Sequence, residues 1–159
     1  MRAVHRLEQV AVVAVELEGT YLYEPDTATY TKISTVIASG AAQFGDKLYI
    51  SCATSAGGYW DGLAFTQLNT GSFPMPKGEQ ITLYKSRFWM ISRETASNRE
   101  RIFFSRITAA GSPPTSINEW NVWDPSTRND FFDVSAGDGQ WISKIVAGSY
   151  ELFVFRNGS

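Results

Sequence analysis

One short pattern recurs three times along this chain of 159 residues. It reads Phe44-Gly45-Asp46-Lys47-Leu48-Tyr49-Ile50, then Tyr84-Lys85-Ser86-Arg87-Phe88-Trp89-Met90, then Gly148-Ser149-Tyr150-Glu151-Leu152-Phe153-Val154. Each copy has a two-residue turn, a charged residue and three large apolar residues. A turn of that length between extended segments is the tight hairpin connection, so each copy predicts a β-hairpin. The equivalent residues Leu48, Phe88 and Leu152 lie 40 and 64 positions apart. The first spacing matches the roughly 40–45 residues of a four-stranded propeller blade, and the second fits a blade carrying a long loop. Any antiparallel meander also yields such hairpins, so a sandwich-like arrangement stands beside the blade.

The rest of the chain fits the same scheme. Residues 8–16 are rich in β-branched side chains and predict a buried strand, with a short helix as the alternative. Glu24-Pro25-Asp26-Thr27 suits a type I turn, which makes residues 20–31 a hairpin. Strands are also predicted at Leu63 to Leu68, Arg101 to Ser105 and Phe131 to Val134. Trp141 to Ala147 and Glu151 to Arg156 form the last hairpin. Ser55 to Gly58, Asn69 to Gly78, Glu94 to Glu100 and Ala109 to Ser116 read as loops. The one amphipathic helical candidate is a single turn at residues 116–120. Aromatic residues make up 14% of the chain, and 13 Gly with 6 Pro supply turns. These numbers favour an all-β fold of antiparallel blade-like sheets, a partial β-propeller or β-sandwich-like, with few or no helices. At this length one all-β domain spans 1–159, with 1–78 and 79–159 as two blade-like halves. About three units leave open sheet edges, which ask for cover by other copies, other proteins or further chain.

The chemistry available is narrow. One Cys and one His cannot build a four-ligand zinc site, and one Cys rules out an internal disulfide. Cys52 in an apolar strand reads as a buried, inert thiol, and His5 lies near a terminus. No nucleophile-elbow or phosphate-loop motif occurs. Asp124, Asp130, Asp133 and Asp138 gather late, but the spacing of a calcium loop is missing, and turn roles are the plainer reading. Asp133 and Asp138 are the carboxylates a glycan-cleaving site would use. Ser135 to Trp141 is similar to the aspartate-box loop of sialidases, with its Asp one position late; such loops are structural. The reading is therefore a non-enzyme with no cofactor and no metal. Val10 to Val15 is six residues, far short of the roughly 20 a membrane helix needs, so no membrane partner is expected. It follows Glu8 and precedes no small-residue cleavage site, which argues against a secretory signal.

Charge is unevenly placed. The formal net charge is −2, which disfavours a nucleic-acid binder held by overall charge. Residues 81–106 carry six basic side chains against two acidic ones, while the flanking segments each total −3. That basic band is either a solvated face or a docking strip for an acidic neighbour. In the second case Arg87, Arg93, Arg99 and Arg101, with Trp120 and Trp123, are the interface candidates. Trp60, Trp120 and Trp123 lie in loops or at strand ends. They seal the core or, if exposed, serve as stacking platforms for glycans. Trp89 and Trp141 fall in predicted strands and read as core.

From Arg87 onward the motifs carry a resemblance. The run Arg87-Phe88-Trp89-Met90, then Asn98-Arg99-Glu100-Arg101-Ile102-Phe103-Phe104-Ser105, then Trp120, resembles propeller-type structural proteins of tailed bacteriophages. Phe132-Asp133-Val134, Gly137-Asp138-Gly139, Ile142, Ile145 and Leu152 to Arg156 continue it, with Ser135 in place of a Gly. The likeness covers about residues 80–156. It implies a virion component of the tail nozzle or head–tail junction, assembled in the host cytoplasm. It implies a homo-oligomer in contact with other virion proteins, and no catalytic residues. A weakly acidic surface would let DNA pass without sticking, so passing contact with DNA is the nucleic-acid role implied. Proteins of that type are several times longer. The alternative expectation is a carbohydrate-binding β module for host-surface glycans.

Overall fold

A computed structural model describes residues 11–15, 18–69, 75–93, 100–105, 131–134 and 140–157. His5, Arg99, Arg106, Trp120, Trp123, Asp124, Asp130, Asp138 and the helical candidate at 116–120 lie outside the described residues. The described residues form thirteen strands and no helix. Sheet I contains β1 (Ala11–Val15), β2 (Gly19–Glu24) and β3 (Thr29–Ser34). Sheet II contains β4 (Gly40–Phe44), β5 (Lys47–Ser51), β6 (Gly58–Trp60) and β7 (Phe65–Gln67). Sheet III contains β8 (Gly78–Tyr84), β9 (Arg87–Ser92), β10 (Arg101–Phe104) and β11 (Phe131–Asp133). Sheet IV contains β12 (Ile142–Ala147) and β13 (Leu152–Arg156). Within each sheet every strand pairs antiparallel with the next in sequence. The fold is all-β, as the recurring hairpins imply.

All three repeated hairpins form at the expected residues. Phe44 pairs with Lys47, Tyr84 with Arg87, and Ala147 with Leu152. The turns solve one problem with different residues. Gly45 takes φ +62°, where glycine is at ease, but Lys85 and Ser86 adopt +48° and +58° despite their side chains. The hairpin at residues 20–31 also forms, with Glu24 paired to Thr29 and Ala28 closing the loop at φ +52°.

The sheets stack in chain order because their strands are apolar on both faces. Side chains alternate across a strand, so Leu48 and Ile50 of β5 face sheet I while Tyr49 faces sheet III. Leu22 and Trp60 complete the first seam, with Val12 and Ile33 packed against it. Phe88 and Met90 of β9 join Tyr49, Ile81 and Phe103 in the second seam. Ile91 of the same strand turns the other way and meets Ile102, Ile142 and Ile145 in the third. Polar bonds reinforce the seams. Ser51 Oγ donates to the carbonyls of Gly40 and Glu79 at 3.3 and 3.1 Å, joining sheets II and III. Ile145 N donates to Gln80 Oε1 at 2.9 Å, joining sheets III and IV. The leading strands β4, β8 and β12 lie side by side, with β8 in contact with both others. Sheets II, III and IV thus share a row of first strands, consistent with a blade-like or sandwich-like all-β fold.

Two local expectations differ. The first strand forms, but Val12, Val13 and Val15 are only half-buried and Ala14 is exposed, because β1 is an edge of sheet I. β6 falls partly in a segment that reads as loop. Its opening Gly58 is there for closeness, since a Cβ would sit 2.2 Å from the Thr66 carbonyl oxygen.

Asp61 ends β6, and its carboxylate accepts from the backbone N–H groups of Leu63 and Ala64, both at 2.9 Å. These bonds hold its pKa below the ordinary carboxylate value. The stability they lend is present above that ordinary value and is lost as pH falls through the lower folded one.

Three outcomes follow for equilibrium unfolding in urea. Phe88→Ala, emptying a fully buried ring site, lowers stability by about 3–5 kcal/mol. Ser86→Gly raises it by about 1 kcal/mol through relief of the left-handed backbone. Asp61→Ala costs about 1 kcal/mol or less at neutral pH, because the carboxylate is exposed, and that gap from wild type narrows as pH falls below the ordinary carboxylate value.

Candidate functional site

The sequence of β13, Leu152-Phe153-Val154-Phe155, is the same kind of two-faced apolar run as Leu48-Tyr49-Ile50 in β5 and Phe88-Trp89-Met90-Ile91 in β9. In those strands sheets cover both faces. In sheet IV, the described residues cover only one face. Ile142 and Ile145 are buried against sheet III, with Val154 packed beside them. The opposite face carries Val146, paired with Phe153, and Lys144, paired with Phe155. Val146 is 36% exposed, Phe153 48% and Phe155 50%. β13 also has no ladder partner on its outer side among the described strands. An apolar face beside an unpaired strand edge is a surface suited to another sheet.

A second feature lies where sheets III and IV meet. An open cleft of about 430 Å³ is lined by Glu79, Arg93, Trp141, Ile142, Ser143 and Asn157. Arg93 follows β9 directly and reaches across the seam. Its guanidinium donates to Ser92 O at 2.7 Å, to Glu79 Oε2 at 2.6 Å and to Ile142 O at 3.5 Å. The Asn157 N–H donates to Trp141 O at 3.0 Å and closes the end of sheet IV. Trp141 stands just before β12 and is 40% exposed, so the expected core role fails for this residue. Its ring, a carboxylate and a guanidinium border one small concavity.

The predicted site residues scatter. Trp60 takes the core role: it is 9% exposed and packs on Leu22, Leu48 and Ile50, so it offers no stacking surface. Arg93 is the seam clamp just described. Arg101 makes two bonds to Asp133 across the β10–β11 pair, at 2.8 and 3.1 Å. Arg87 donates to Ser105 O at 3.3 Å and lies over the Phe104 ring. These three arginines thus make contacts within sheet III and its seam, and they are not brought together as a single strip. Trp89 is half-buried and donates from Nε1 to Tyr84 O at 3.2 Å.

Cys52 lies one residue beyond β5 rather than inside a strand, and it is buried as expected. Burial pushes its pKa up, but hydrogen bonds from Ser55 and Thr54 outweigh that effect and leave it below the ordinary thiol value. No groups of acidic, His or Cys residues suited to a metal occur among the described residues, and no helix there is long and apolar enough to cross a membrane. Sequence reasoning missed the exposed face of sheet IV as a site. The signal was present in β13, whose run predicts two covered faces.

No protein-family model matches the chain, and no curated protein is significantly similar to it.

The seam clamp has a measurable consequence. Arg93→Ala removes three bonds at a half-buried position and lowers stability by about 1–2 kcal/mol in urea unfolding, whereas Glu79→Gln costs less than about 1 kcal/mol because that carboxylate is half-exposed.

Proposed function

We propose that this protein is a structural subunit of a tailed-bacteriophage particle, at the tail or head–tail junction, and that it acts by assembly. The observation that carries the reading is the uncovered face of sheet IV. Phe153, Phe155 and Val146 stand half-exposed on a sheet whose neighbours are apolar on both faces and covered on both. Exposing such a face costs stability and invites aggregation unless something covers it. Assembly supplies the cover and asks for no catalytic group. The motifs from Arg87 to Arg156 that resemble phage propeller-type proteins give the particle as the setting.

Sedimentation velocity of the purified chain over a wide concentration range tests this. Association is expected to rise with concentration, and Phe153→Ser with Phe155→Ser is expected to weaken it by at least about tenfold, as loss of an aromatic anchor does. A well-folded monomer throughout the range would refute the assembly reading.

One observation favours a second reading. The cleft that sets Trp141 beside Glu79, Arg93 and Ser143 combines an aromatic plate with polar groups, which suits a saccharide of host-surface glycans. Titration with soluble sugars, followed by tryptophan fluorescence, is expected to saturate under this reading and to lose its response in Trp141→Ala.

A further inference from the structure

We propose that the cover for the exposed face of sheet IV is sheet I of a second copy of this chain, docked head to tail. The inference rests on the assembly reading and names its partner. Three seams inside the molecule follow one rule: the later face of each sheet packs on the earlier face of the next. Applying that rule once more, the outer face of sheet IV meets the outer face of a sheet I.

That second face has the right chemistry. Val12, Leu22 and Ile33 turn toward sheet II, so alternation puts Val13, Tyr21, Tyr23, Tyr30 and Lys32 on the other side. Tyr23 and Tyr30 stack with ring centroids 4.7 Å apart, Lys32 lies over the Tyr21 ring, and Tyr30 is 63% exposed. An aromatic face with hydroxyl rims thus stands ready for the Phe153 and Phe155 rings.

Charge favours the same pairing over its rival. Among the described residues, sheet I and its turns hold Glu18, Glu24 and Asp26 against Lys32 alone. Sheet IV and its turn hold Lys144, on the face in question, and Arg156 against Glu151 alone. Head-to-tail docking sets Lys144 against an acidic rim. Two sheet IV faces docked together would instead bring two net-positive sheets into contact, with Lys144 of each copy on the shared apolar face. A two-stranded face is small, at the low end of specific interfaces, below roughly 1,200 Å² in total, so the association expected is weak and concentration-dependent. A heterologous contact of this kind closes into a ring or runs on as a filament.

Complementation of two variants tests the polarity. The full chain is made as Phe153→Ser with Phe155→Ser, which spoils sheet IV, and as Tyr30→Lys, which spoils sheet I. Lys144→Glu serves as a second, milder sheet IV variant, and circular dichroism with urea midpoints confirms that each one folds. Analytical ultracentrifugation then compares the wild type, each variant alone and equimolar mixtures. Each variant alone is expected to be monomeric at concentrations where the wild type associates, and the mixture is expected to form a heterodimer through the one intact pair of faces. If Tyr30→Lys associates as the wild type does, head-to-tail docking is wrong while assembly stands. If both variants are monomeric and their mixture stays so, docking between these two faces is likewise refuted. A wild type that remains monomeric sinks both the docking and the assembly reading.

Discussion

A β-strand with large apolar side chains on both faces needs a covered surface on each side, and every major feature of this molecule follows from that need. Most antiparallel sheets keep one face wet and read as alternating apolar and polar residues. The strands β5, β9 and β10 do not alternate. Leu48, Tyr49 and Ile50 are all buried, and so are Phe88, Met90 and Ile91. Each strand therefore belongs to two cores at once. A sheet made of such strands cannot end a structure; it can only sit between two others. The face-to-face stacking of sheets I to IV is the result, and the three apolar clusters are its seams.

This constraint also explains which parts of the fold were legible in sequence. The three recurring hairpins were legible because a two-residue turn next to a two-faced apolar run leaves few other conformations. Chain-order pairing of strands was legible too, since short connections join antiparallel neighbours. β6 was not, because Gly58 is selected by the nearness of the Thr66 carbonyl, a contact absent from any local pattern. The burial of β1 was misjudged for a related reason. Its valines satisfy the pattern of a central strand, while its place at the edge of sheet I is a property of the whole molecule.

The candidate site divides the same way. The arginines between residues 81 and 106 stand out as a basic band, yet spacing does not say what a long side chain reaches. Arg101 meets Asp133 from a segment 32 residues away, and Arg93 meets a carbonyl 49 residues away. Trp60 and Trp141 exchange the roles their neighbourhoods suggest. Trp60, beside a glycine-rich loop, is sealed by β5, whereas Trp141, ahead of an apolar strand, stands outside it. Trp60 closes β6, where the ladder fixes its face, whereas Trp141 stands one position before β12 and has no face fixed by a ladder, so its burial depends on what packs across it.

The exposed residues of β12 and β13 then take on a definite meaning. Single exposed apolar side chains are ordinary on a protein surface. Here Val146, Phe153 and Phe155 form one contiguous face, aligned by the ladder that pairs Val146 with Phe153. The face lies opposite Ile145 and Val154, which sheet III covers. It therefore repeats, in position and chemistry, the face that Tyr49 presents to sheet III from sheet II and that Ile91 presents to sheet IV from sheet III. Under the assembly reading proposed above, a feature buried at two successive seams and half-exposed at the next is a seam whose other half a second copy supplies. The same reasoning separates this face from the cleft at Trp141, where the aromatic ring stands among polar groups and no ladder aligns it with other apolar side chains.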